Sequence, residues 1–393
     1  MPRLHLICNG VFTTSIAGGD IHCLKLARAA ATAGYELNWF GGHALGEVLQ
    51  QHSMPGTVTL TDAAPMPKVN TGALAGQWAM FRDFAKRYRA TRGLMDRIQP
   101  EDYVYAVSDY WFDVWPAVRC AARQKLMVLH MQAPDFWQVV RRSRPDVDPV
   151  RLASFHYWFS QNSSVAAFRR CPRKRLLYVH PAMRPRLLRR GYRAEELKYS
   201  SFGVEAELAR KAGPQPKTYD AVWIGRVHRQ KGIDDLLATL AFLKQRVPGF
   251  RVLFIGNIKK DLQPLVEQHG LAECAVFSGF VSEEEKFRLF HASRVLLMTG
   301  RLGGSPRVIG EALVCGVPVV AYEVEDDRPI FGEFVRYVPC FEVEAFQRES
   351  ERQILLMRGG DNYLTRLNLD QFCRENSWET NERGFLEALG ELR

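Results

Sequence analysis

Gly303-Gly304-Ser305-Pro306-Arg307-Val308-Ile309-Gly310-Glu311-Ala312-Leu313 runs on to Cys315-Gly316-Val317-Pro318-Val319-Val320-Ala321. In order, this reads as a glycine-rich loop, a helix opening at a proline, a glycine stop and a buried strand. The free N–H groups at such a helix start form a ready anion site. Glu311, about one turn in, can reach a ligand held there. A loop, a helix and an apolar strand in this sequence are parts of a parallel α/β sheet.

The same alternation extends in both directions. Strands are expected at Leu4–Cys8, Glu36–Phe40, Tyr103–Val107, Lys125–His130 and Leu176–Val179, with a helix over Asp20–Ala33 stopped by Gly34. The pattern restarts at Ala221–Gly225. It continues through a helix at Gly232–Arg246, strands at Arg251–Gly256 and Ala275–Ser278, a helix at Glu283–Ala292, and strands at Val295–Met298 and Val317–Ala321. Ala212-Gly213-Pro214-Gln215-Pro216-Lys217 has the composition of a linker. The chain therefore reads as α/β in two domains, which its 393 residues also favour.

Composition narrows the class. Apolar residues make up 47% and charged residues 24%, as in an ordinary globular protein. The eight cysteines have no paired or metal-ligand spacing and read as reduced thiols in a cytoplasmic protein, with no metal site expected. No apolar run approaches the roughly 20 residues of a membrane span, and the N-terminus lacks a signal-peptide layout. The net charge of +10 is concentrated in residues 1–200, with 28 Lys and Arg against 15 Asp and Glu. This asymmetry fits either an anionic partner or a solvated basic face. The basic stretch carries no nucleic-acid reading motif, so no nucleic-acid partner is expected.

Several local motifs can carry chemistry. Gly18-Gly19-Asp20-Ile21-His22 lies between the first strand and helix, where adjacent glycines allow close backbone approach to a phosphate. Arg226 and Lys231 lie on the loop after the strand ending at Gly225, the position at which open parallel sheets bind ligands. A guanidinium and an ammonium together suit a diphosphate. His130 and Asp109 stand at strand ends. Tyr110, Trp111, Phe112 and Trp115 fit either a sugar-stacking surface or a core. Trp78, Phe81, Phe84, Ala85 and Tyr88 recur at helical spacing among Arg82, Lys86, Arg87, Arg89 and Arg92. That helix suits peripheral association with an anionic membrane or docking on the core.

Taken together and in order, these motifs resemble the GT-B glycosyltransferases, and within them the retaining GT4 type that uses nucleotide-sugar donors. The resemblance rests on Gly18-Gly19 through His22 with Leu26-Ala27 and Ala33-Gly34-Tyr35, and on Ser201-Phe202-Gly203-Val204-Glu205. It continues through Ile224-Gly225-Arg226-Val227 with Lys231-Gly232, Ser278-Gly279-Phe280-Val281 near the base pocket, and the opening stretch. It implies two Rossmann-like domains facing a cleft: 1–203 on the acceptor side, 204–372 for the donor, and a C-terminal helix in 373–393 crossing back.

By the same resemblance, Arg226 and Lys231 neutralise the donor diphosphate and His130 sits near the transferred sugar. Gly18 and Gly19 approach the donor, the Gly304, Ser305, Pro306, Arg307 and Val308 segment contacts sugar or phosphate, and Glu311 binds the ribose. The implied activity is retaining sugar transfer to a glycan or lipid-linked acceptor in cell-surface polysaccharide synthesis. It involves no resident cofactor, the nucleotide sugar being a co-substrate. One departure stands out: the family's first acid of its E-x7-E pair is here Gly303. That glutamate touches donor-sugar hydroxyls in the family, a contact that Arg301 or Ser305 could take over. A non-catalytic GT-B nucleotide-binding module, or a GT-B phosphorylase or epimerase, remains an alternative.

Overall fold

The computed structural model describes residues 1–10, 18–62, 74–131, 133, 136–141, 151–225, 227, 229–301, 307–324 and 328–392. The chain divides into two compact units, Met1–Phe202 with Glu379–Arg393, and Gly203–Trp378.

The first unit is built on a seven-stranded sheet of order β3-β2-β1-β4-β5-β6-β7, every pairing parallel. The strands are β1 (Arg3–Cys8), β2 (Glu36–Gly41), β3 (Thr57–Leu60), β4 (Tyr103–Ala106), β5 (Gln124–Leu129), β6 (Arg173–Tyr178) and β7 (Leu197–Tyr199). The order reverses at β1, and β1 and β4 are neighbours, so the switch point of a doubly wound sheet lies between them. The helices that matter for function are α1 (Gly18–Thr32), α2 (Leu74–Leu94), α3 (Trp111–Arg119), α4 (Phe136–Arg141) and α5 (Arg151–Phe168). Leu6, Cys8, Tyr105, Leu126 and Val128 on the central strands pack with Leu26 and Ala27 of α1 in one core.

The second unit repeats the plan with six parallel strands in the order β10-β9-β8-β11-β12-β13. They are β8 (Tyr219–Ile224), β9 (Val252–Ile255), β10 (Ala275–Gly279), β11 (Ser293–Met298), β12 (Val319–Glu323) and β13 (Val335–Pro339). Helices α6 (Ile233–Arg246), α7 (Glu283–His291) and α8 (Arg307–Val314) follow β8, β10 and β11. Leu236, Leu237, Leu240 and Leu243 of α6 are buried against β8 and β9 at i, i+1, i+4, i+7 spacing.

The last helix, α9 (Trp378–Gly390), begins as the second unit ends and buries Phe385, Ala388 and Leu389 in the core of the first. Asn381 anchors it, accepting from the Ser201 amide at 2.7 Å and donating to the Ser201 carbonyl at 3.1 Å. Lys198 pairs with Glu387 at 2.7 Å on the same helix. The chain crosses into the second unit at Gly203, whose φ of +70° favours glycine and whose Cβ position would lie 2.4 Å from the Trp378 ring. The preceding helix, Leu369–Glu375, lies in the second unit, and the first unit resumes at Glu379.

Three strands carry no clear sequence signal: β3, β7 and β13, all at sheet edges. β3 is largely exposed, so it has none of the apolar run that marks a buried strand.

Candidate functional site

In the second unit the ends of β8, β11 and β12 are tied together. After β8 the chain makes a 3-10 turn, Arg229–Lys231, and enters α6 through Gly232. Gly232 has φ +59°, and a Cβ there would stand 2.1 Å from the Thr299 carbonyl oxygen, so only glycine fits. Thr299 Oγ1 donates to the Lys231 carbonyl at 2.8 Å, and the Arg301 amide donates to the Gln230 carbonyl at 2.9 Å. The half-buried Lys231 therefore sits on a loop clamped to the end of β11. Asp235, in the first turn of α6, accepts from Arg301 Nη2 at 2.9 Å and from the Tyr322 hydroxyl of β12 at 3.0 Å. Arg301 also lies over the Phe341 ring at 5.0 Å. Arg226 and the Gly303, Gly304, Ser305 and Pro306 segment lie outside the described residues.

Glu311 on α8 is 3% exposed. Its Oε1 accepts from Lys286 Nζ of α7 at 2.9 Å and forms an ion pair with Arg307 Nε at 3.0 Å. Lys286 is itself buried and reaches Glu283 at 2.8 Å. A carboxylate in so dry a place needs such cations to offset its lost hydration. Oε2 takes no part in the described hydrogen bonds. Arg307 and Val308 are half-buried at the start of α8. Phe280, just after β10, is 88% exposed.

Sequence reasoning missed Lys286. In Glu283-Glu284-Glu285-Lys286 it reads as part of a solvated charge run. The helical spacing to Glu283 is legible there, but nothing local points to Glu311, 25 residues away.

In the first unit the candidates gather at the C-terminal ends of β1, β4 and β5. Gly19, at the start of α1, faces His130: a Cβ there would touch His130 Nε2 at 3.4 Å. Gly18 is exposed beside it. His130 Nε2 is 3.2 Å from the Val107 carbonyl. Burial lowers its pKa to about 4, against the raising effect of that bond, so the ring is neutral near pH 7. His22 meets His130 edge-on, with centroids 5.5 Å apart, and its Nε2 lies 2.8 Å from Ser200 Oγ. Burial, and secondarily the His130 charge, lowers the His22 pKa to about 3.

Asp109 and Asp113 are both buried. Gln161 Nε2 and the Tyr157 hydroxyl, on α5, donate to Asp109 Oδ2 at 2.5 and 3.0 Å. Burial outweighs those bonds and raises the Asp109 pKa to about 6. Gln161 also donates to the Met131 carbonyl at 2.6 Å and accepts from the Ala133 amide at 2.8 Å, holding the chain just past His130. Asp113 accepts from the Asn9 and Gly10 amides at 2.7 and 3.3 Å and from the Ser108 hydroxyl, which fixes the end of β1. Its pKa is pushed up to about 7, chiefly by burial.

Two sequence readings are resolved here. Trp111 and Phe112 are buried with Phe84 in an aromatic core rather than offered as a sugar-stacking surface. Arg87 is not a surface cation. It is 3% exposed, pairs with Asp62 at 2.6 Å and Asp83 at 3.0 Å, and donates to the Asn9 carbonyl at 3.0 Å. A buried guanidinium needs such partners, and they come from sequence positions that no helical pattern reveals. Among the described residues no group of three His, Cys, Asp or Glu side chains could hold a metal ion, and no helix is long and apolar enough to cross a membrane.

Two parallel six- and seven-stranded units of this order define the GT-B class, and comparison with solved structures supports that assignment over the whole chain. Sucrose-phosphate synthase from Thermosynechococcus elongatus matches with a TM-score of 0.73 at 18% identity, covering 100% of this chain and 99% of that one. Anabaena HepE in complex with UDP matches with a TM-score of 0.67 at 17% identity, covering 99% and 100%. Residues 204–355, within the second unit, match the family described as Glycosyl transferases group 1.

Two curated relatives match over shorter stretches. The 2-deoxystreptamine N-acetyl-D-glucosaminyltransferase of Streptomyces fradiae is 34% identical over 139 residues, 32% of this chain and 31% of the relative. The 2-deoxystreptamine glucosyltransferase of Streptomyces kanamyceticus is 33% identical over 107 residues, 26% and 27% respectively. These matches span about a third or less of each relative's length.

Proposed function

We propose that this chain is a retaining, GT4-type glycosyltransferase. It moves a sugar from a nucleoside diphosphate donor, held by the second unit, to a glycan or lipid-linked acceptor taken by the first. The observation that carries the reading is the clamped Lys231 loop at the β8, β11 and β12 strand ends, with Glu311 buried on the helix that follows β11. Lys231, joined by Arg226, meets the negative charge that develops on the leaving diphosphate. Oε2 of Glu311 accepts from the ribose hydroxyls while Lys286 and Arg307 hold Oε1. Gly18 and Gly19, with the Gly304, Ser305, Pro306, Arg307 and Val308 segment, line the donor. Phe280 offers its exposed ring to the base.

His130, neutral near pH 7, serves as a hydrogen-bond partner of the transferred sugar and not as a cation. The nucleotide sugar is a co-substrate, and no resident cofactor or metal is assigned a role. The setting is cytoplasmic, at the inner face of a membrane where surface polysaccharide is assembled. The relatives' names support glycosyl transfer as the reaction class, and their 2-deoxystreptamine acceptors make small polyols a set to assay beside glycans. Gly303 favours a second reading, a non-catalytic nucleotide-binding module, because the acid that touches the donor sugar in similar enzymes is missing. Arg301, already paired with Asp235, is not free to replace it fully.

Thermal-shift titration with UDP, GDP, ADP and CDP identifies the donor base, because a ligand that binds the folded state raises its stability. UDP comes first, since HepE was solved with it. Product analysis with the matching nucleotide sugars then tests transfer. Lys231→Ala is expected to lower kcat by roughly 100-fold or more, the loss usual for one preorganised charge-stabilising donor. Turnover by the native chain eliminates the non-catalytic reading. No turnover of any donor, with Lys231→Ala binding nucleotide like wild type, refutes the proposal.

A further inference from the structure

Helix α2 does not have one stripe with one purpose. Phe84 lies on the core side, its ring stacked 4.1 Å from that of Phe112, and Tyr88 packs edge-on to Trp111. Trp78 and Phe81 are exposed instead, at 58% and 38%. They line a cavity of about 170 Å³ with Gln77 and with Phe155, His156 and Phe159 of α5. Phe155 and Phe159 are 44% and 42% exposed. Trp158 connects this surface to α4, contacting Phe155 at 5.6 Å and Phe136 at 5.2 Å, and Trp137 beyond it is 62% exposed. A contiguous group of large exposed aromatics on three helices marks an interaction surface.

The charge beside it selects the partner. Arg82 and Arg89 follow Trp78 at i+4 and i+11, on the same face of α2, with Lys86 and Arg92 flanking them, and all four are exposed. The one acid on this helix, Asp83, is turned away to Arg87. Tryptophans next to an apolar patch and a cationic run match the layers of an anionic bilayer surface: headgroup boundary, acyl region and negative charge.

We infer that the α2, α4 and α5 aromatic face seats the first unit on an anionic lipid bilayer, with Trp78, Phe81, Phe155 and Phe159 entering the acyl boundary. The cations of α2 then lie along the headgroups. This deepens the proposed membrane-side setting by naming the surface. On α5, Phe155 and Phe159 belong to this face, while Tyr157 and Gln161 hold Asp109 and the chain after His130. One helix thus joins the bilayer surface to the strand ends of the proposed acceptor side.

The test is flotation of the full chain with phosphatidylcholine vesicles, with and without phosphatidylglycerol. Wild type is expected to float at least tenfold better with phosphatidylglycerol. The Arg82→Gln, Lys86→Gln, Arg89→Gln triple variant is expected to lose on the order of 100-fold in partitioning to anionic vesicles, as for three basic residues at such a surface. Trp78→Ser with Phe159→Ser should lower binding at least tenfold, while Trp78→Phe keeps it and removes part of the tryptophan quenching by doxyl-labelled lipid. All these positions are exposed, so unchanged melting temperatures are expected.

Failure of wild type to float, flotation indifferent to phosphatidylglycerol, or variants that float like wild type overturn the inference. So does self-association that the Trp78→Ser, Phe159→Ser variant abolishes, since the face would then join two copies of the chain. Flotation is read without any donor, so its failure and a failure of glycosyl transfer are separate results.

Discussion

Glu311→Gln and Lys286→Met together test whether the buried pair organises α7 and α8. In Glu311→Gln, the Lys286 ammonium, on a side chain 7% exposed, loses its buried carboxylate and keeps one carboxylate partner, Glu283, whose own side chain is 56% exposed. Breaking a buried pair from one side costs about 3–5 kcal/mol. Glu283 and the partial exposure of Arg307 reduce this to about 2–3 kcal/mol by the same reasoning. Lys286→Met leaves Glu311 with Arg307 alone, about 2 kcal/mol. The double variant removes both charges, so it should cost less than the sum, with a coupling energy of about 2 kcal/mol.

The two units need not unfold together, which makes a single global midpoint ambiguous. Native-state hydrogen exchange on peptides spanning 283–298 and 307–323 reads the local free energy instead. Additive losses, with coupling below about 0.5 kcal/mol, would refute the claim that Lys286 neutralises Glu311.

Gly232→Ala forces a side chain into left-handed backbone against the Thr299 carbonyl. It should cost about 2–3 kcal/mol or more and weaken nucleotide binding by displacing Lys231, both visible in thermal shifts with and without nucleotide. The histidines of the first unit predict acid sensitivity. His22 has a folded pKa of about 3, below the 6.5 of the unfolded chain, so between those values the unfolded state binds the extra proton and stability falls as pH falls. Asp109 and Asp113, raised to about 6 and 7, act with the opposite sign, losing stability as pH rises from near 4 towards 7. The His22 contribution is therefore read as a difference. Relative to His22→Gln, wild type should lose about 3 kcal/mol between pH 6.5 and 4, and a difference independent of pH contradicts a buried neutral His22.

The sequence by itself determined the alternation of strand and helix, the restart near Ala221, and the glycine turns at Gly34 and Gly316, because these depend on neighbours within a few residues. It also carried the positions of Lys231 and Glu311, since a motif records the order of loop and helix. The edge strands β3 and β13 and the short β7 escaped it, since a strand with little buried surface leaves little pattern.

Tertiary structure decided what each chemically active side chain meets. His22 finds Ser200 across 178 positions, Asn9 finds Asp113 across 104, and Glu311 finds Lys286 across 25. It also separated Arg87, buried between two carboxylates, from Arg82 and Arg89, exposed on the same helix. Local propensity cannot make that distinction: desolvation and long-range pairing are properties of the packed chain, and they set whether a charge is a structural tie, a ligand contact or a face turned to a partner.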